Sequence, residues 1–329
     1  MNSTQWTGEK SGLVSIGSHS LWLTVAGPDR EPGEPVVLII QGLASCAASW
    51  AAVIRLLSVF IRVYAYDRSG LGKSEPSSLP PTSTNIVAEL GVLLEAAHIS
   101  PPYIIVGHSW GGILSRQFIG PGRINDIAGI VLVEANQERT LEELDWRPFF
   151  HWILDNGIDI QDALDLKARS KLTAVEWDQF QTDDAKSRAN GQAAAEQVQY
   201  PESFGRLPVE HQLSYHPPFL GSKPVSVVKG QNARDLRKLY DAVVQKNAGR
   251  EEERVRYREF LVTFDQIDRD LQSEARKLSS NSRMVCSRES GHNIELTDPE
   301  IIVEMVKWVA AGCQKTGLLF HDVNHFGFM

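Results

Sequence analysis

The stretch that most constrains this chain is residues 104–112, IIVGHSWGG, an apolar run that stops abruptly at a serine set among glycines. The run has the β-branched composition of a buried strand, and the residues after Gly111 read as a helix. A strand that turns into a helix at a single residue needs its backbone to approach neighbouring chain closely on both sides. Gly107 and Gly111 permit that by lacking side chains. Such a turn is expected to hold Ser109 strained and exposed above a helix N-terminus that favours negative charge. A five-residue GxSxG pattern carries little alone; the strand before it and the helix after it make Ser109 a candidate nucleophile.

The same strand belongs to a longer alternation. Short β-branched runs at 36–40, 61–66, 103–106 and 127–133 are separated by helical-looking segments at 47–59, 83–98 and 111–119, the pattern of buried parallel strands between helices. Residues 12–16 and 19–26 read as a leading hairpin. From about 136 to 218 the chain turns to charged, helix-favouring residues, with Trp146, Trp152 and Trp177 spaced through it as packing anchors. A strand returns at 224–228, followed by one long helical segment at 232–278, a last strand at 284–287, and a helix capped by Asp298 that is expected to end near Gly312. The expected organisation is a core of residues 1–135 and 219–329 interrupted by a helical lid, 136–218. The tail, 317–329, carries three Phe and two His with no assignable period, and reads as a docked tail or an arm ordered by crystal contacts.

Composition narrows the partners. A formal charge of −8 with no local Lys/Arg cluster speaks against nucleic acid and anionic membrane. Cys46, Cys286 and Cys313 form neither a disulfide framework nor a CxxC pair, which fits a reducing compartment and no zinc site. With a polar N-terminus and no long apolar run, the expectation is a cytoplasmic protein, monomer or homodimer, acting on a small molecule.

A serine hydroxyl is a poor nucleophile at neutral pH and needs a base that a third group orients. Of nine histidines, eight fall in the hairpin, a helix end, the elbow, the insertion or the tail. His292 follows the last strand through RESGHN, just before the final helix, where functional groups of a parallel sheet collect. It is the expected base.

Together these motifs resemble the α/β-hydrolase superfamily over nearly the whole chain: the hairpin, PVVLIIQG, YDRSGLGKS, VGHSWGG, an insertion, and SGHNIELTDPE before a closing helix. The resemblance implies a mostly parallel α/β sheet of about eight strands flanked by helices, with a helical cap inserted after strand 6. DRSGLGKS is then a family turn and not a phosphate-binding loop, whose spacing it lacks. Members commonly carry His-Gly after the third strand, where this chain has Gln41 and Gly42. Because the oxyanion donors are main-chain amides, the resemblance still assigns Leu43 and Trp110 to the oxyanion hole. Gln41 either adds a side-chain contact to substrate or braces the loop. The usual family acid would fall at Ala233, which cannot serve. Glu134, directly after the sixth strand, is preferred, and Asp235 is the alternative; Glu289 and Glu295 read as solvated loop charges.

The chemistry implied is two-step acyl transfer by Ser109, His292 and an acid, of carboxylesterase or lactonase type. The expected substrate is a medium-sized hydrophobic ester or lactone held near Gln41, Gly42, Trp110 and Trp146. A serine at the elbow argues against haloalkane dehalogenase and epoxide hydrolase chemistry. No metal set or dinucleotide fingerprint is present in the sequence, and no cofactor is implied. Carbon-carbon bond hydrolysis, an aminopeptidase suggested by the Ser-Trp pair, and a non-hydrolytic biosynthetic or receptor role are the alternatives.

Overall fold

A strand without polar residues can leave neither face to water, so a sheet built from such strands must be covered on both sides. The computed structural model describes residues 6–315. Its strands are β1 (Lys10–Ser15), β2 (Ser20–Ala26), β3 (Val36–Ile40), β4 (Val63–Tyr66), β5 (Tyr103–His108), β6 (Ile127–Val133), β7 (Val225–Lys229) and β8 (Ser282–Cys286). Every residue of β3 to β7 is buried. The eight strands form one sheet in the order β1-β2-β4-β3-β5-β6-β7-β8. The β1–β2 and β2–β4 pairs are antiparallel and all others parallel.

Alternate residues feed two cores, as the two-residue period of a strand requires. Val36, Leu38 and Ile40 join the helices Ser83–Ala96 and Gly111–Ile119 on one face, whereas Val37 and Ile39 join the short helix Ala51–Leu57 and the last helix, Pro299–Lys315, on the other. The last helix presents Ile302, Met305, Val306, Val309 and Cys313 to the sheet, one stripe at helical spacing. It continues past Gly312, where the sequence suggests a stop. A Cβ at Gly312 would lie 3.1 Å from Pro224 Cγ, so the small residue allows close packing of a continuing helix.

Between β6 and β7 runs a helical insertion that includes Arg147–Asp155, Ala174–Ala189 and Gln192–Gln199. Its Phe149, Trp152 and Trp177 are buried in a third apolar cluster with Leu239, Val243, Tyr257 and Phe264. The last four belong to helices Asn232–Gln245 and Glu251–Glu274, which the sequence reads as one helical segment of the core. The segment is broken at 246–250, where Asn247 and Gly249 take φ of 54° and 73°. The division at residue 218 therefore passes through a shared cluster. Among the described residues no helix is long and apolar enough to cross a membrane. The tail at 317–329 lies outside the described residues.

Strand register positions the site. Ile40 pairs with Gly107, His108 with Val133, Val133 with Val228, and Lys229 with Cys286. The carboxyl ends of β3, β5, β6, β7 and β8 consequently finish nearly level.

Candidate active site

The level strand ends set Gln41, Ser109, Glu134 and Gly230 side by side, each just beyond its strand. Ser109 has φ 52°, the left-handed conformation expected of a tight strand-to-helix turn. Its N–H donates to the Val133 carbonyl at 3.0 Å. A Cβ on Gly111 would collide with the Ile40 carbonyl, and one on Gly107 with Ser115 Oγ, so the crossing admits no side chain at either position. The residue is strained as expected but is only 8% exposed, which corrects the expectation of an open serine. Gly42 packs against it closely enough that a Cβ there would stand 3.1 Å from Ser109 Cβ.

His292 arrives from the loop after β8. Its carbonyl accepts a hydrogen bond from His108 Nε2 at 3.0 Å, and the two rings lie 4.8 Å apart, which brings His292 against the elbow. Because a carbonyl only accepts, His108 carries its proton on Nε2. Burial and the neighbouring His292 push its pKa down to about 3, so it is neutral. His292 Nδ1 lies 3.5 Å from Glu134 Oε2. Partial desolvation disfavours the imidazolium of His292, whose side chain is 43% exposed, but the Glu134 carboxylate, with help from Glu295 and Asp268, outweighs it and raises the pKa above the ordinary value. Glu134 is itself held: Gly230 N–H donates to Oε1 and Asn232 Nδ2 to Oε2. Asp235 is also buried and packs against Gly291, but its carboxylate is engaged by Arg234 Nε at 2.9 Å, with Arg169 Nη1 at 3.7 Å.

Two peptide units carry the expected oxyanion donors. The Ser109 carbonyl accepts from Gly112 N–H and Asn136 N–H, both at 2.9 Å. The Gly42 carbonyl accepts from Arg68 Nη2 at 2.6 Å and Ser45 N–H at 3.2 Å. A trans peptide is planar with its C=O and N–H opposed. Fixing those carbonyls thus fixes the directions of the Trp110 and Leu43 N–H groups. Among the described residues neither of these amides has an intramolecular acceptor.

The other residues singled out in the sequence have surroundings of their own. Gln41 is fully buried and its Nε2 donates to the Tyr66 carbonyl at 2.8 Å, which braces β3 to β4. The Trp110 indole is also fully buried and donates to Ser203 Oγ at 2.9 Å. It buttresses the insertion and offers a pocket only its amide. Trp146 is partly buried against Phe150 and Tyr200. Glu289 is exposed, but Glu295 is 3% exposed and 3.7 Å from His108 Nε2, so it is no solvated charge. Burial pushes its pKa up to about 7. In the DRSGLGKS turn, Asp67 accepts from Ala47 N–H at 2.7 Å and Lys73 N–H at 2.9 Å, a turn-holding role. Asn232, Arg68 and Glu196 went unnoticed in the sequence. Asn232 had a local cue as a polar residue just past a strand end. Among the described residues no cluster of His, Cys, Asp and Glu is arranged to hold a metal ion.

Residues 36–305 match the model of a family described as "Alpha/beta hydrolase family". An "AB hydrolase superfamily protein" of Gibberella zeae is 33% identical over 309 residues, covering 90% of this chain and 94% of the relative. A "Probable transporter efuK" of Hormonema carpetanum is 34% identical over 307 residues, 91% of this chain, which spans 42% of that relative's length. Among solved structures, "Epoxide hydrolase CorEH without ligand" superposes with a TM-score of 0.57 at 14% identity, covering 92% of this chain and 98% of the other. At that identity the likeness concerns the fold.

Proposed function

The chain belongs to the alpha/beta hydrolase family, and from that premise we propose that it is a serine hydrolase cleaving an ester or lactone through an acyl-enzyme. The observation that carries this reading is the 3.5 Å approach of Glu134 to His292 Nδ1, beside an elbow that holds Ser109 at φ 52°. In the proposed mechanism His292 Nε2 takes the Ser109 hydroxyl proton as Oγ attacks the carbonyl carbon. Glu134 holds the Nδ1 proton in place and stabilises the imidazolium that forms. The Leu43 and Trp110 amides stabilise the oxyanion. Collapse of the tetrahedral intermediate returns the proton to the leaving alcohol or to the lactone's ring oxygen. Water, deprotonated by the same imidazole, then releases the acid.

Trp146 and Phe150, both partly buried and packed beside Tyr200, whose hydroxyl donates to Asn136 next to the elbow, support a hydrophobic acyl or alcohol portion of medium size. In this reading the insertion acts as a lid. A fluorophosphonate probe tests the proposal: it should label the native protein at Ser109 and fail to label Ser109→Ala. A folded wild-type protein that stays unlabelled, or label that persists in Ser109→Ala, overturns it.

A further inference from the structure

We propose that the buried Arg68–Glu196 ion pair positions the Leu43 oxyanion donor, so that the helical insertion completes the catalytic site. The inference rests on the serine hydrolase reading above. Arg68 lies in the turn after β4 and Glu196 in the insertion helix Gln192–Gln199, 128 residues away. Their side chains are 1% and 0% exposed. Arg68 Nε and Nη2 donate to the two Glu196 oxygens at 2.7 and 2.8 Å, a bidentate fork.

The remaining contacts of both residues converge on one short loop. Arg68 Nη1 donates to the Gln41 carbonyl at 3.0 Å and Nη2 to the Gly42 carbonyl at 2.6 Å. Glu196 Oε2 accepts the Ala44 N–H at 2.7 Å. The Gly42 carbonyl and the Leu43 N–H share one planar peptide, so a guanidinium on the oxygen aims the N–H away from itself. A charge-assisted bond to that oxygen also polarises the amide and makes the N–H a stronger donor. Glu196 removes the competing Ala44 amide by binding it, leaving Leu43 as the donor on this loop. The Arg68 guanidinium further sits 5.5 Å from the centre of the Trp110 ring, so it touches residues of both donor peptides.

Burying an ion pair is a poor route to stability, since apolar replacements often serve as well. Here the remaining side-chain hydrogen bonds of the pair all fall on residues 41–44, which gives its burial a catalytic purpose. A carboxylate from the insertion is needed to hold Arg68 in the fork, and without it the guanidinium loses the partner that fixes its plane. Arg68 and Glu196 are thus positioning residues, acting on the oxyanion through the loop.

The test uses the full chain with p-nitrophenyl butyrate as substrate and phenylboronic acid as a tetrahedral adduct-former at the serine. Three variants are compared: Arg68→Lys, Glu196→Gln, and the double Arg68→Gln/Glu196→Gln, which strands no buried charge. Circular dichroism establishes that each is folded. Loss of an aimed donor should lower kcat by about 10²-fold in Glu196→Gln and the double variant. KM should change by less than about threefold, because the donor acts on the transition state. Phenylboronic acid should weaken in parallel with kcat. Arg68→Lys, with charge but no fork, should fall about tenfold. A folded double variant with wild-type kcat, or a loss that appears in KM while boronate affinity is kept, overturns the inference. Fluorophosphonate labelling of wild-type Ser109 separates the two failures: unlabelled wild type sinks the hydrolase reading itself, whereas labelled wild type beside fully active variants sinks only the clamp.

Discussion

Glu134 and Asp235 are both buried carboxylates beside the His292 loop, and their partners distinguish them. Glu134 Oε2 is 3.5 Å from His292 Nδ1, with Gly230 and Asn232 satisfying the rest of its carboxylate. Asp235 is engaged by Arg234 and Arg169 and has no such approach to the imidazole. Glu134→Gln should therefore lower kcat by roughly 10³–10⁴-fold, since an imidazole without its orienting carboxylate takes the wrong tautomer. Asp235→Asn should stay within about threefold of wild type. The pH profile adds a second reading. Partial desolvation lowers the His292 pKa, but Glu134 and its neighbours raise it more, and the proposed base works only when neutral. The acidic limb of kcat/KM should thus lie above the ordinary histidine range in wild type and move to lower pH in Glu134→Gln. A limb that stays in place, or a collapse in Asp235→Asn with Glu134→Gln active, would reverse the assignment.

The elements most legible in the sequence were those whose signal is local. Short β-branched apolar runs alternating with helical segments point to doubly covered strands, and the glycines around Ser109 mark a crossing that the Ile40 carbonyl confirms by its closeness to Gly111. What escaped depended on distant partners. Nothing near QAAAEQV shows that Glu196 reaches Arg68 across 128 residues, and the polar surroundings of Glu295 hid its burial beside His108. The break at 246–250 has only a short local cue, Asn247 and Gly249, within a long charged and helix-favouring segment, and the helices on either side face the insertion. Trp152 tests that arrangement. Its ring packs 4.7 Å from Tyr257 and 5.9 Å from Tyr240, one residue on each of the two later helices. Trp152→Ala should cost about 3–5 kcal/mol. In hydrogen exchange, protection should fall together in 147–189 and 232–274 while β3, β5 and β6 keep theirs. Loosening confined to 147–189 would return 232–274 to the core.

Over the whole molecule, burying ionisable groups around the sheet's carboxyl ends ties stability to pH, and Glu295 gives the clearest case. Burial raises its pKa from 4.5 to about 7, opposed by His292 and a backbone hydrogen bond. A group whose folded pKa exceeds its unfolded value stabilises the fold fully below the unfolded pKa, and that contribution is lost as pH rises through the folded one. The window for Glu295 is therefore about pH 4.5 to 7, and the lost contribution is about 3 kcal/mol. Glu295→Gln keeps the shape and cannot ionise. Its unfolding free energy relative to wild type should climb by about 3 kcal/mol between pH 4.5 and pH 8, measured in urea at each pH. Groups that titrate independently of Glu295 affect both proteins and cancel in the difference; His292 is not one of them, because Glu295 helps to raise its pKa, so its pKa is measured in both proteins. His108 also titrates in this range, its pKa lowered by burial and His292. Its contribution runs the other way, present above its unfolded pKa and lost as pH falls towards about 3. A flat difference would mean that Glu295 ionises in the fold without cost. The neighbouring His292 would then have to supply the balancing charge, and the His292 pKa measured by NMR would rise further above the ordinary histidine value to match.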